Sequence, residues 1–172
     1  MSELTEFRAA KDRLFRTDHD SPLAPEQRQR FAGLDYYDEN PELVFELTPE
    51  VFPEQEPVEL QTSTGTVASY RRWAKVRFAV DGRPVELTIF RDARSGSPFL
   101  PFVDANAGRE TYGAGRYLEL QPLEGGKLLV DFNYAYNPYC AYNAQWTCPI
   151  PPAENRLPVA IRAGERSYEE GH

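Results

Sequence analysis

The chain has 172 residues, of which 41% are hydrophobic and 13% aromatic, so it has enough apolar material to bury a core. Its formal net charge of −8 argues against a surface that follows nucleic-acid phosphates or docks on anionic lipid. Residues 1–16 are charged throughout, and no stretch is apolar enough to cross a membrane. We therefore expect one cytoplasmic domain over residues 1–172, with no nucleic-acid or membrane partner.

The first forty residues are predicted to form a helical arm. Ser2 can cap a helix over residues 2–16, in which apolar side chains recur at helical spacing. A second, short helix is predicted over residues 25–34, with Pro25 in its first turn and Gly33 just past its end. The apolar stripe of the first helix consists of Leu4, Phe7, Ala10 or Lys11, and Leu14.

From residue 42 onwards the apolar period changes to two, which predicts strands. Asp81-Gly82 between two alternating runs indicates a tight hairpin, and the length of the paired strands predicts curvature or a bulge. Tyr70 and Ala74 are placed on one face, with Arg72 pointing inward among them. The predicted strands cover residues 42–47, 57–62, 66–80, 85–90, 99–104, 116–123, 127–132 and 157–165.

The order of the elements predicts a mainly β (α+β) fold. Two N-terminal helices precede a β domain over residues 41–172, which we expect to be a curved antiparallel sheet or a barrel-like structure. A long loop without periodicity, residues 133–156, lies before the last predicted strand. Loops of this length inside a compact domain are usually functional or packed as a lid.

Several long motifs in the last third of the chain are specific enough to suggest a family. They are TYGAGRYL at residues 111–118, DFNYAYNPYCAY at residues 131–142 and CPIPPAENRLP at residues 148–158. Together with the segment at residues 11–37, they resemble the uncharacterised domain-of-unknown-function family 1684. The resemblance covers nearly the whole chain. The family has no established activity, substrate or cofactor, so the resemblance does not indicate one for this chain.

Cys140 and Cys148 are the only two cysteines. The favoured interpretation is a pair of thiols packed among the aromatic side chains of the loop. A disulfide is possible across the loop, but a reducing cytosol opposes it. Two thiolates are also half of a zinc site, although no short knuckle is present and we expect no metal. A nucleophilic cysteine would need His19, the only internal histidine, as its base.

Other polar residues allow further chemistry. His19 is interpreted as a surface histidine, with a general base as the alternative. Asp104, Glu110 and Glu154 could supply a carboxylate pair for acid–base catalysis if two of them meet. The Gly-x-Gly of residues 113–115 indicates close backbone packing rather than a dinucleotide loop, since it lacks the third glycine.

Asp131 and Asn133 follow an apolar strand, where a buried carboxylate would need a partner. Arg72 and Arg116 are the natural candidates, because a guanidinium binds a carboxylate with two hydrogen bonds. Such a cluster could orient a polar ligand, or it could be a structural ion pair.

These observations favour a domain that binds a small polar or aromatic molecule in a pocket between the sheet and the 133–156 loop. One alternative is an enzyme of hydrolase or lyase type that uses Cys140, His19 or carboxylates. The other is a structural or interaction domain without a ligand. The candidate ligand-binding residues are Arg72, Arg116, Tyr117, Asp131, Asn133, Tyr136, Asn137, Cys140, Tyr142, Glu154 and Asn155.

Overall fold

Two helices open the chain, as the sequence predicts. The computed structural model describes residues 2–168, and helix α1 spans Glu3–Thr17 while α2 spans Pro25–Arg30. The Oγ of Ser2 accepts a hydrogen bond from the amide of Thr5, which satisfies one of the donors left without a partner at a helix start. No helix in the described range is both long and apolar enough to span a membrane.

The strands form two antiparallel sheets. The larger sheet has the order β2–β4–β5–β6–β7, and β3 pairs with another part of β4. The smaller sheet has the order β1–β9–β8. The strands are β1 Val44–Leu47, β2 Glu50–Val51, β3 Pro57–Gln61, β4 Val67–Val80, β5 Arg83–Asp92, β6 Pro98–Phe102, β7 Arg116–Leu118, β8 Gln121–Pro122 and β9 Leu128–Asp131. Within residues 2–168 both sheets are open, so the mainly β antiparallel class is confirmed and a closed barrel is not.

The long hairpin of β4 and β5 is the centre of the larger sheet. Its turn has positive φ at both Asp81 (51°) and Gly82 (78°), which matches the right-handed twist of the flanking strands. A register shift lies between Arg72 and Ala74, so the predicted bulge is confirmed. Because Arg72 is opposite Phe90 while Ala74 is opposite Ile89, the two side chains lie on opposite faces. The prediction that Arg72 points inward beside Ala74 was therefore wrong.

The main core lies between the two sheets and the C-terminal segment. Its fully buried members include Val76, Leu87 and Ile89 from the hairpin and Val130 from β9. A second, smaller cluster fastens the N-terminal arm to the 133–156 loop through Phe15, Leu23, Phe31 and Tyr142. The indole Nε1 of Trp146 strengthens this contact, since it donates to the carbonyl of Pro22 at 3.0 Å.

Residues 157–165 are not a strand, which corrects the prediction. Only single bridges occur at the ends of this segment, between Arg156 and Val103 and between Glu165 and Tyr36. The carbonyls of Ile161, Ala163 and Glu165 accept hydrogen bonds from the side chain of Arg116 instead. A buried guanidinium thus takes the place of the strand neighbour that the alternating sequence implied.

Candidate functional site

A groove lies between α1 and the segments that carry β8, β9 and the start of the 133–156 loop. Its volume is about 760 Å³, within the range of small-molecule sites. Helix α1 contributes Phe7, Ala10, Lys11 and Leu14 to one wall. The opposite wall comes from residues 119–121, from β9 and from the start of the 133–156 loop.

The wall from α1 exists because the helix carries two apolar stripes. Leu4 and Phe15 are buried, and the ring of Phe15 packs against Phe31 of the arm and Tyr142 of the loop. Phe7 and Leu14 lie on another side of the helix, and they remain 44% and 39% exposed. The buried stripe holds the helix in place, so the exposed one is left as a preformed apolar surface.

The opposite wall is built by β9 and the short turn that follows it. The Oδ1 of Asp131 accepts hydrogen bonds from the amide and from the side-chain Nδ2 of Asn133, both at 3.0 Å. This cap directs the next residue, Tyr134, toward the helix, where its ring meets Phe7 edge-on at a centroid distance of 5.0 Å. Asp131 and Tyr134 therefore line the groove from one rigid turn.

Lys11 lies at the floor of the groove and is 17% exposed. Its ammonium donates a hydrogen bond to Oε2 of Glu165, a carboxylate that is almost completely buried. The other oxygen, Oε1, accepts from the hydroxyl of Tyr142 and from the amide of Asn137 at 3.2 Å. The buried carboxylate of Glu165 therefore compensates the positive charge of Lys11.

Tyr136 forms the rest of the floor. Its backbone pairs with Tyr117 of β7, and its hydroxyl donates to Oε1 of Glu119 at 2.6 Å. The ammonium of Lys11 lies 5.1 Å from the centroid of the same ring. Burial and the Glu119 carboxylate raise the pKa of Tyr136, so the phenol stays neutral at pH 7.

Two further tyrosines, Tyr134 and Tyr139, line the groove near carboxylates. Burial raises the pKa of Tyr134, and the carboxylates of Glu3 and Asp131 raise it further. Burial likewise raises the pKa of Tyr139, with contributions from Asp20 and Glu165. Both phenols are therefore neutral hydrogen-bonding groups at pH 7.

The predicted candidate residues do not come together in one site. Asp131 and Tyr136 line the groove, whereas Asn137 and Tyr142 bond to Glu165 behind its floor. Asn133 is buried, and its side chain pins the backbone of Asn40 through both Oδ1 and Nδ2.

Arg116 and Tyr117 lie in the interior. Besides the three carbonyls, the guanidinium of Arg116 is 3.7 Å from the carboxylate of Asp104. Burial lowers the pKa of Arg116, and Asp104 opposes that shift. The hydroxyl of Tyr117 donates a hydrogen bond to the carbonyl of Pro149.

The expected pairing of Asp131 with an arginine was wrong. Arg72 instead binds Glu154 through two hydrogen bonds, Nε to Oε1 at 3.2 Å and Nη2 to Oε2 at 2.7 Å. The bulge in β4 explains this, because it turns Arg72 toward the face of β5 on which Thr88 also bonds to Glu154.

Asn155 is completely buried and bridges two strands. Its Oδ1 accepts from the amide of Thr88 at 2.9 Å, and its Nδ2 donates to the carbonyls of Thr88 and Pro101 at 2.8 and 2.7 Å. The pairing of β5 with β6 ends at Phe90 opposite Phe99, so Thr88 and Pro101 lie beyond it, and Pro101 has no amide hydrogen to donate. The Asn155 amide supplies the missing backbone partners.

Both cysteines are free thiols, as the favoured interpretation has them, and they form no disulfide. Cys148 is buried and Cys140 is partly exposed, with the hydroxyl of Tyr112 at 3.6 Å from its sulfur. Burial raises the pKa of the Cys148 thiol, which makes it a poorer nucleophile at pH 7. Burial together with Cys140 raises the pKa of Tyr112 to about 12.

His19 is 90% exposed and lies between its neighbours Asp18 and Asp20, at 3.5 and 3.4 Å. Within residues 2–168, these three form the one group of three or more His, Cys, Asp or Glu residues whose potential metal-binding atoms all lie within 4.8 Å of one another. No hydrogen bond or ion pair in that part of the chain joins His19 to Cys140, so the structure does not assemble a thiol–imidazole pair.

The three other carboxylates considered for acid–base catalysis have separate partners. Asp104 accepts from Thr111 and from the amide of Ile161. Glu110 accepts from Tyr37 and Asn106. Glu154 accepts hydrogen bonds from Arg72 and Thr88.

The Gly-x-Gly of residues 113–115 packs closely against its neighbours, as predicted. A Cβ on Gly115, whose φ is +100°, would lie 2.6 Å from the carbonyl oxygen of Phe102.

Sequence reasoning missed Lys11, Glu119 and Glu165 as part of this region. The sequence contained a usable signal for Lys11, because either Ala10 or Lys11 was expected as the third member of the apolar stripe of α1. Glu165 gave none, because its partner Lys11 lies 154 positions away in the chain.

The chain is similar to uncharacterised proteins in both sequence and structure. A family model described as "Protein of unknown function (DUF1684)" matches residues 29–166. The chain belongs to this family. The solution NMR structure of an uncharacterised protein from Haloarcula marismortui is similar to it, with 40% identity and a TM-score of 0.72. The match covers 95% of this chain and 92% of the other. No curated protein matches.

Proposed function

We propose that this domain binds a small, largely apolar molecule in the groove beside α1. The observation that carries the proposal is a cavity of about 760 Å³ in which the exposed side chains of Phe7 and Leu14 face polar groups of Asp131, Tyr136 and Glu119. Binding sites usually combine an apolar wall with a few convergent polar groups.

The site differs in position from the one expected between the sheet and the 133–156 loop. Only the start of that loop, at Tyr134, Tyr136 and Tyr139, lines the groove. The middle of the loop packs against the N-terminal arm through Tyr142 and Trp146. Its end, at Glu154 and Asn155, bonds to the larger sheet instead. A small molecule is also the partner that suits the acidic chain better than nucleic acid or anionic lipid does.

A titration with 1-octanol, an uncharged probe, tests the proposal. Two-dimensional amide NMR spectra at pH 7 should shift at residues 7–14, 129–131 and 134–139, with a Kd on the order of 1 mM. The substitution Ala10→Trp puts an indole into the groove and should abolish these shifts. Arg13→Trp is the matched control, because Arg13 is an exposed residue of the same helix that does not line the groove.

Shifts that survive Ala10→Trp, or that scatter over the surface, would overturn the proposal. A catalytic role lacks a supporting arrangement in the described residues, because the cysteines, His19 and the interior carboxylates have separate surroundings. If octanol causes no shifts, an interaction domain without a ligand is favoured.

A further inference from the structure

The charges along the groove point to a class of ligand. The groove is lined by three carboxylates, those of Glu3, Glu119 and Asp131, and by one ammonium, that of Lys11. Lys11 is already bonded to Glu165 behind the floor. An anionic ligand would have to compete with this buried pair and approach three carboxylates.

One end of the groove combines negative charge with aromatic surface. Glu3 in the first turn of α1, Asp131 at the end of β9 and Tyr134 all line the groove. After burial, the two carboxylates are the largest causes that raise the pKa of Tyr134, and Arg8 opposes them more weakly. Both hydrogen bonds from Asn133 to Asp131 fall on Oδ1. The rings of Tyr134 and Phe7 meet at the same place. Carboxylates beside aromatic rings are a favourable setting for an organic cation.

The apolar wall continues from this end along the helix. Phe7, Ala10 and Leu14 follow one another on the groove side of α1, and Phe7 and Leu14 are about 10 Å apart along the axis at the helical rise. The wall ends at Tyr139, which is also exposed. The groove thus has one polar, negative end and an apolar length.

We propose that the groove selects an amphiphilic organic cation, with its ammonium between Glu3 and Asp131 beside Tyr134 and its apolar body along Phe7, Ala10 and Leu14. This inference rests on the proposed function and names the ligand class of the same site. The attraction comes from charge complementarity and from the aromatic faces, while the apolar body supplies the rest of the binding energy.

Three probes with the same eight-carbon chain test the inference: octylamine, 1-octanol and octanoate, titrated at pH 7 and low salt. Octylammonium should bind about tenfold more tightly than octanol, and octanoate should bind more weakly than both. Added salt should weaken the binding of octylammonium but leave that of octanol unchanged, because screening acts on the charge alone.

Substitutions locate the ammonium. The double substitution Glu3→Gln and Asp131→Asn should remove most of the preference for the amine while octanol still binds, which also shows that the groove remains folded. Glu119→Gln is the matched control, since it removes one carboxylate from the floor beside Tyr136. It should reduce the preference less than Asp131→Asn does.

The outcomes separate the two proposals. Binding of octanol with an equal affinity for octylammonium overturns the ligand class and leaves the groove as a binding site. Tighter binding of octanoate overturns it as well, and would assign recognition to Lys11. Equal losses from Glu119→Gln and Asp131→Asn overturn the position of the ammonium. Failure of all three probes overturns the proposed function itself.

Discussion

The interior around Arg116 and the groove beside α1 are both rich in polar side chains, but they use them differently. In the interior, the guanidinium of Arg116 and the amide of Asn155 are bonded to backbone groups that no strand neighbour reaches. In the groove, carboxylates and phenols stand beside exposed Phe7 and Leu14 around an open volume.

The difference teaches how a polar residue in this chain should be interpreted. Arg116 and Asn155 have the composition of ligand contacts, yet their bonds complete the fold itself. Glu119 and Asp131 each carry a bond within the protein and still face the cavity. Substitutions in the interior should therefore change stability, whereas those in the groove should change binding.

The largest effect is expected from Arg116→Met. It leaves the buried carbonyls of Ile161, Ala163 and Glu165 without their guanidinium donor and Asp104 without its cationic partner, so we expect a loss of about 3–5 kcal/mol in the free energy of unfolding. Urea denaturation measures this loss. Arg156→Met, at an exposed arginine, should cost less than about 0.5 kcal/mol. Equal losses in the two variants would contradict a structural role for Arg116.

Asn155→Ala should have the next largest effect. It leaves the amide of Thr88 and the carbonyls of Thr88 and Pro101 without partners, at a cost of about 2–3 kcal/mol. The same denaturation experiment applies, and amide exchange at Thr88 should accelerate. Asn143→Ala is the control, because the side-chain oxygen of Asn143 accepts from the amide of Gln145 at an exposed position. Unchanged exchange at Thr88 would show that Asn155 does not bridge the strands.

The pair of Arg72 and Glu154 should contribute less, because it is partly open to solvent. Glu154→Gln is expected to cost about 0.5–1 kcal/mol at pH 7. Burial by itself would raise the pKa of Glu154, but the hydrogen bonds from Arg72 and Thr88 outweigh it and hold the pKa below the usual 4.5.

The lowered pKa sets the direction of a pH dependence. A carboxyl whose pKa is lower in the folded state contributes stability above its unfolded pKa, and loses it as the pH falls through the folded value. The stability difference between the parent protein and Glu154→Gln should therefore be full at pH 7 and shrink below about pH 4.5. A difference that grows in acid would refute this, and a double-mutant cycle with Arg72→Met isolates the pair.

The smallest effect on stability is expected in the groove. Glu119→Gln removes a charge at an exposed position, and Tyr136 can still donate to the new amide oxygen. The free energy of unfolding should change by no more than about 0.5 kcal/mol. A loss above about 1 kcal/mol would place Glu119 with the interior residues and weaken the distinction between the two regions.

Much of the fold could be predicted because its causes are local. The period of α1, its Ser2 cap and the Asp81-Gly82 turn each depend on residues close together in the chain, and all three were confirmed. The segment at residues 157–165 failed for the opposite reason. Its alternation resembles a strand, but the partner of its carbonyls is one side chain from β7.

The candidate site was predictable only in part. Asp131 was identified from the polar residues that follow an apolar strand and Tyr136 from the aromatic residues of the 133–156 loop, and both line the groove. The contribution of α1 was missed, because a helix pattern shows which side chains share a face and not what that face meets. The bulge in β4 similarly redirected Arg72 to Glu154 instead of Asp131.

The sequence by itself determined the family, the two N-terminal helices, the antiparallel mainly β class and the central hairpin, since these follow from motifs, periodicity and turn residues. Only the tertiary structure decided which polar residues serve the fold and which face a cavity. That division depends on contacts such as those of Lys11 with Glu165 and of Asn155 with Thr88, between residues far apart in the chain. Burial and hydrogen-bond partners exist only once these distant segments have packed together.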